Sequence, residues 1–131
     1  MTGRLPVILI VDDMVETRRL MRRVLERGRF KVIEAGSGED GLRAIEVSRP
    51  ELVILDLRLP RMSGFDVARA VRSSPDTGIA GTVLLACSAS VQPEVQLEAI
   101  EAGCNGFEGK PFDVVAFPEL VRGLIAQHRR C

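Results

Sequence analysis

The feature that most constrains this chain is a regular alternation between short apolar runs and stretches whose apolar residues recur at helical spacing. Such alternation is the pattern of repeated strand–helix units, because a parallel strand reaches its neighbour through a crossover that is usually a helix. Five runs are predicted as strands: Pro6 to Val11, Phe30 to Glu34, Leu52 to Leu55, Thr82 to Cys87 and Gly106 to Glu108. The first, third and fourth are apolar throughout, as strands covered on both faces require. The second alternates and suits an edge, and the fifth is short and weakly patterned. Helix 1 is predicted over Val15 to Arg27, with Leu20, Met21, Val24 and Leu25 on one face and Arg18, Arg19, Arg22 and Arg23 on the other. Helices 2 and 3 are placed at Gly41 to Val47 and Phe65 to Val71. Helix 4 runs from Pro93, suited to a first turn, to Ala102, with Gly103 as its stop. Helix 5 covers Leu120 to Gln127, and Pro118 marks its first turn. The expected fold is α/β with a mainly parallel sheet, and 131 residues suit one domain over 1–131.

Composition narrows the function. Eighteen basic residues balance eighteen acidic ones and the only aromatics are five Phe, which argues against nucleic-acid binding. No apolar stretch reaches the roughly 18 residues of a membrane span, and the first residues lack the apolar core of a signal peptide, so a cytoplasmic location is expected. Cys87, Cys104 and Cys131 are odd in number and have no CxxC spacing, so neither a disulfide framework nor a zinc site is expected. His128, in "AQHRR", suits the last turn of a helix.

In an open parallel sheet, ligands bind at the carboxyl ends of the strands. Strand 1 ends in Asp12 and Asp13, strand 3 in Asp56, strand 4 in Ser88 and strand 5 in Lys110-Pro111, while strand 2 offers only Ala35 and Gly36. Each has a plain structural reading. Asp13 with Glu16 makes a fair capping box for helix 1, Ser88 and Asp56 are turn formers, and Lys110 is an ordinary surface cation. Together, however, they converge on one crevice. Two carboxylates about 4 Å apart repel by roughly 4 kcal/mol at an effective dielectric near 20, so something positive must offset them. A divalent cation with oxygen ligands fits, and Mg²⁺ fits better than Zn²⁺ because no His or Cys is at hand. Lys110 and Ser88 are the groups needed to hold phosphoryl oxygens, and Asp56 can then act as a nucleophile on phosphorus.

At this point the chain resembles the receiver domain of two-component response regulators over nearly its full length. The residues that carry the resemblance are Asp12-Asp13, Asp56 in "LDLRLPRMSGFD", Ser88 in "CSAS" and Lys110-Pro111 in "GCNGFEGKPF". The resemblance implies a doubly wound (βα)5 flavodoxin-like sandwich with strand order 2-1-3-4-5. It implies that Asp56 accepts a phosphoryl group from a histidine kinase or a histidine phosphotransfer protein. Mg²⁺ would be held by Asp13, Asp56 and the backbone carbonyl of Arg58, with Asp12 acting through water. Lys110 would pair with the phosphoryl group, Ser88 would turn towards it, and Phe107 would stand at the switch aromatic position. Phe107 lacks a tyrosine hydroxyl, so an inward preference before phosphorylation is expected. Arg58 and Ser90 sit where the family tunes the lifetime of the acyl phosphate, and Gly109 before Lys110 adds backbone freedom there.

The chain ends soon after helix 5, too soon for a helix-turn-helix module, so the expected output is protein binding. The resemblance places that output on helix 4, strand 5 and helix 5, where Val114, Val115 and Ala116 serve either an interface or the core. Six arginines between Arg18 and Arg29 either steer an acidic partner to helix 1 or form a solvated face. A monomer or a phosphorylation-dependent homodimer is expected, free-standing or as part of a larger hybrid kinase or regulator. Two readings of other classes stay open. A magnesium-dependent phosphohydrolase would want a second Asp where Arg58 stands, and a phosphate-independent scaffold would lack an acidic or lysine position that is present here.

Overall fold

The computed structural model describes residues 4–129, so the expectation for Cys131 lies outside the described residues. Five strands, β1 (Val7–Val11), β2 (Lys31–Ala35), β3 (Leu52–Asp56), β4 (Val83–Ser88) and β5 (Gly106–Gly109), form one parallel sheet in the order β2-β1-β3-β4-β5. The helices are α1 (Val15–Arg27), α2 (Gly38–Ser48), α3 (Gly64–Arg72), α4 (Thr77–Ala80), α5 (Pro93–Ala102) and α6 (Phe117–Arg129). The flavodoxin-like α/β fold is therefore as expected, with one addition. The single turn α4 was not predicted, so predicted helices 4 and 5 are α5 and α6. Four residues cannot display a helical period, and the signal that existed was Asp76, whose carboxylate accepts from the Gly78 and Ile79 amides at 2.9 and 3.2 Å.

Side chains alternate across the sheet into two cores. Leu9, Val11, Val53, Leu55, Leu84 and Ala86 pack beneath α2, α3 and α5. Ile8, Ile10, Leu52, Ile54, Val83 and Leu85 pack beneath α1 and α6, around Phe30 and Phe117. This two-sided burial explains why β1, β3 and β4 lack polar alternation. Cys87 and Cys104 sit in these cores, and burial pushes their thiols up to about 12 and about 11. Strand β2 is an edge, as its pattern predicted, though it begins one residue later than expected because Phe30 turns into the core at 2% exposure. Among the described residues no helix is long and apolar enough to cross a membrane.

From β1 the chain adds β2 on one side and then β3 on the other. The carboxyl ends of β1 and β3 therefore flank the point where strand order reverses, which is where a crevice opens in folds of this kind.

Candidate functional site

The two strands that flank the crevice carry the three aspartates. Oxygens of Asp12, Asp13 and Asp56 all lie within 4.8 Å of one another. Asp12 and Asp56 are buried at 1% and 6% exposure, whereas Asp13 faces solvent. The loop after β5 brings Lys110 across the mouth, its Nζ 2.9 Å from Asp12 Oδ2 and 3.6 Å from Asp56 Oδ1. Ser88, also buried, closes the β4 side, and its carbonyl accepts from the Lys110 amide at 2.8 Å. An open pocket of about 530 Å³ lies over these groups, lined among others by Asp13, Asp56, Arg58 and Lys110.

Local hydrogen bonds fix each group. Asp12 Oδ1 accepts from the Met14 amide at 2.9 Å, and Asp56 Oδ1 accepts from the Arg58 amide at 3.1 Å. Both are short turns in which a carboxylate holds the backbone two residues on. Ser88 Oγ accepts from the Ser90 amide at 3.1 Å. The expected capping box of Asp13 and Glu16 is corrected by this geometry: the residue that caps α1 is Met14, and no side chain caps it. Asp12 takes the Met14 amide, and Asp13 presents its carboxylate to solvent.

A close approach sets the depth of Asp56. Helix α3 begins at Gly64, whose amide donates to the Leu57 carbonyl at 3.1 Å. A Cβ at that position would stand 2.3 Å from the Asp56 carbonyl oxygen and 2.7 Å from Leu57 Cα, so only glycine permits the contact. Ser63 and Asp66 form a reciprocal capping box there, which anchors the first turn of α3.

Electrostatics agree with the geometry. Burial pushes the Asp56 carboxyl above its ordinary value, Asp12 and Asp13 push the same way, and the Arg58 amide and Lys110 only partly oppose them. For Lys110, burial works against the charged form, yet the hydrogen bond to Asp12 and the charges of Asp56 and Asp12 leave it raised. One lysine thus faces three carboxylates. The oxygen-only donor set and the surplus of negative charge fit a hard divalent cation.

Other predicted residues fall around this centre. Arg58 is exposed at its rim, and Arg58, Ser88 and Ser90 also line a neighbouring cavity of about 270 Å³. Phe107 is half-buried against the core beneath α2, α3 and α5. Val114 and Val115 are exposed at 45% and 83%, which settles them as surface rather than core. Exposed His128 lines a small pocket at the far end of the sheet, away from these carboxylates.

Sequence reasoning missed Arg18 and Glu34. Both readings of the basic face of helix 1, partner steering and solvation, leave Arg18 outward, but its Nη1 donates to the Asp12 carbonyl at 2.6 Å and its Nε to Glu34 Oε1 at 2.9 Å. Arg22 joins the same carboxylate. Burial works to raise the Glu34 carboxyl, and the two arginines outweigh it and hold the group below its ordinary value. The readable signal was an acidic residue in β2, on a strand whose end appeared to offer nothing.

The comparisons with known proteins agree with this geometry. The model of the response regulator receiver domain matches residues 8–122. A probable chemotaxis protein CheY of Rhizobium etli is 37% identical over 108 residues, covering 82% of this chain and 82% of that protein. The DNA-binding response regulator MtrA of Mycobacterium leprae is 36% identical over 123 residues, 94% of this chain but 51% of that protein. Hybrid signal transduction histidine kinase C of Dictyostelium discoideum is 28% identical over 109 residues, 80% of this chain and 9% of that protein. The chain thus spans a tenth to a half of some relatives and most of another. A crystal structure of a putative response regulator from Chloroflexus aurantiacus superposes with a TM-score of 0.87 at 28% identity, covering 94% of this chain and 99% of that one. With its matched family model, its strand order and its acidic crevice in accord, the chain belongs to the response regulator receiver domain family.

Proposed function

We propose that residues 1–131 act as one phosphoacceptor receiver domain, in which Asp56 takes a phosphoryl group from a histidine kinase or a histidine phosphotransfer protein. The observation that carries this reading is the cluster of three carboxylates within 4.8 Å under a single lysine, at the mouth of an open pocket.

Asp13, Asp56 and the Arg58 carbonyl are the groups proposed to hold Mg²⁺, with Asp12 acting through water. When bound, the cation would neutralise the carboxylates and the negative charge that builds on the phosphoryl oxygens. Asp56 Oδ1 accepts from the Arg58 amide and keeps a second lone pair for the cation, so Oδ2 is proposed as the oxygen that attacks phosphorus. The new bond is Oδ2–P. The bond that breaks is P–N to the donor imidazole, whose nitrogen keeps the electron pair. Burial strips water from the attacking carboxylate, and the raised Asp56 value records that loss.

Lys110 already lies within 3.6 Å of Asp56 and would meet a phosphoryl oxygen with little movement. Ser88 would give up its bond from the Ser90 amide and donate its own hydroxyl proton instead. Phe107, half-buried already, would follow into the space that Ser88 leaves. Exposed Arg58 and half-buried Ser90 flank the pocket and are proposed to tune how water reaches the acyl phosphate. The change would be read on the face of α5, β5 and α6 by a protein target in the cytoplasm, as a monomer or as a phosphorylation-dependent homodimer.

The shares of relatives covered favour a second reading of context alone, in which this domain is one module of a hybrid kinase or a DNA-binding regulator. The test of the chemistry is incubation with a small phosphodonor, with and without Mg²⁺, followed by intact mass. A Mg²⁺-dependent phosphate adduct that is absent from Asp56→Asn is expected. An adduct that survives that substitution overturns the assignment.

A further inference from the structure

We propose that Arg18 is a positioning residue for the acidic crevice, and that Glu34 is the counter-ion that keeps the charge of Arg18 from competing with a bound cation. The proposal rests on the reading that the crevice holds Mg²⁺. Side chains of a helix lean towards its amino end, so Arg18, at the end of the first turn of α1, reaches back over the end of β1. Its Nη1 donates at 2.6 Å to the Asp12 carbonyl, which belongs to the peptide joining Asp12 to Asp13. The Asp12 amide donates to the Ala35 carbonyl at 3.1 Å, so the backbone of Asp12 is held at both of its polar groups. The pivot from which the two carboxylates project is therefore fixed. Gly36 leaves room for the guanidinium, since a Cβ there would stand only 3.3 Å from Nη1.

Position and charge are handled by different partners. A guanidinium this near three carboxylates would repel the cation they attract, yet Arg18 Nε meets Glu34 Oε1 at 2.9 Å, with the two side chains only 17% and 23% exposed. Glu34 stands level with Ile10 of β1 and one residue before Ala35, so the edge strand supplies both the counter-ion and the acceptor for the Asp12 amide. Lys110 remains the cation paired with Asp12 and Asp56. Among the described residues Arg18 makes no other ion pair, whereas Arg22, which shares Glu34, also meets Glu26 at 3.0 Å. Loss of Glu34 would thus strand Arg18 rather than Arg22. Arg19, the next residue of the helix, is exposed.

The two effects have opposite signs, which makes them separable. Removing a positive charge beside a cation site tightens the cation if charge is all that matters, whereas losing a group that orients metal ligands loosens it. The chain has no Trp or Tyr, so Mn²⁺, which takes the same oxygen ligands as Mg²⁺, is titrated and followed by the paramagnetic resonance of the free ion. Arg18→Ala should weaken Mn²⁺ about tenfold. Arg18→Lys should recover only part of that, because an ammonium cannot serve Asp12 and Glu34 as a planar fork does. Arg19→Ala, an exposed control, should change binding by less than about twofold. Glu34→Gln should weaken Mn²⁺ about threefold by freeing the Arg18 charge, and should add nothing once Arg18 is alanine. With a small phosphodonor, the Mg²⁺ concentration giving the half-maximal rate should rise about tenfold in Arg18→Ala, while the rate at saturating Mg²⁺ stays within about twofold. A merely structural role would lower the saturated rate and leave the half-saturating concentration alone. Should Arg18→Ala not fold, Arg18→Lys carries the test, with Mn²⁺ about threefold weaker than in the parent. Tighter or unchanged Mn²⁺ in Arg18→Ala, full recovery in Arg18→Lys, an equal loss in Arg19→Ala, or a Glu34→Gln effect that persists without Arg18 would each overturn the proposal alone. A parent chain that binds no Mn²⁺ would overturn the reading beneath it as well.

Discussion

The two ends of the sheet handle buried charge in opposite ways. At the amino ends of β4 and β5, Arg72 at the end of α3 satisfies four acceptors: the carbonyls of Gly103, Ala80 and Thr82 and the side chain of Asn105, at 2.7 to 2.9 Å. Asn105 also accepts from the Leu84 amide at 2.8 Å, so one guanidinium ties α3, α4, α5 and two strands together. At the carboxyl ends, one lysine faces three carboxylates and the balance stays negative. The first end is closed and contributes stability. The second is left short of positive charge, and that shortage is what a cation and a phosphoryl group can fill.

Substitutions at both ends test the contrast. Arg72→Ala should have the largest effect, a loss of about 3 kcal/mol in urea unfolding, because it leaves three part-buried carbonyls and the Asn105 side chain without this donor. Arg72→Lys should recover little of it, since a point ammonium cannot reproduce the planar fork. A loss under about 1 kcal/mol for Arg72→Ala would break the comparison.

Asp56→Asn should act in the opposite direction and raise stability by about 1–2 kcal/mol near neutral pH without metal, the size of a screened close repulsion. The sign follows from the raised value of Asp56. Its charged form is disfavoured in the fold, so the penalty is full above the folded value, fades as pH falls through it, and is gone below the ordinary 3.8. Unfolding at pH 7 and pH 4 in chelator should therefore show the advantage of the variant shrinking with acid. Mg²⁺ should also stabilise the parent chain more than the variant.

Lys110→Gln should cost about 1 kcal/mol, because it leaves Asp12 and Asp56 without their cation. The raised Lys110 value means that this contribution is present below the ordinary 10.5 and is lost only as pH rises beyond the folded value. Saturating Mg²⁺ should reduce the cost, which sharpens the claim that lysine and metal offset the same charge. The smallest effect is expected for Ser88→Ala, under about 1 kcal/mol, since only the bond from the Ser90 amide is lost. Its phosphorylation rate by a small donor should fall nonetheless, and an unchanged rate would remove Ser88 from the proposed chemistry.

The closed end and the open end were not equally legible in the sequence. Asp12, Asp13, Asp56, Ser88 and Lys110 could be found because each directly follows an apolar run, and topology carries such positions to one edge. Arg72 left no trace of that kind. Its acceptors are mostly backbone carbonyls, which every residue has, and the Gly103 carbonyl lies 31 positions away. Arg18 is hidden for the same reason, as it reaches a backbone carbonyl from the basic face of helix 1. The capping box of Asp13 and Glu16 had the right spacing and failed because α1 starts one residue later, with Met14 at the cap position and Glu16 at the second helical position rather than the third. Spacing reports which bonds are possible, and the register at which the helix starts decides which form.

Gly64 carries a consequence for how this surface can change over time. Most positions on a helix can exchange side chains at little cost, but any side chain here would press on the backbone of Asp56 itself. Variation at the start of α3 is therefore not free to accumulate: it would be felt at once as a displaced Asp56 carboxylate, however well the helix still folded. Chains that keep an aspartate at this strand end for chemistry should keep the glycine with it, and chains that have abandoned the chemistry are released to lose both.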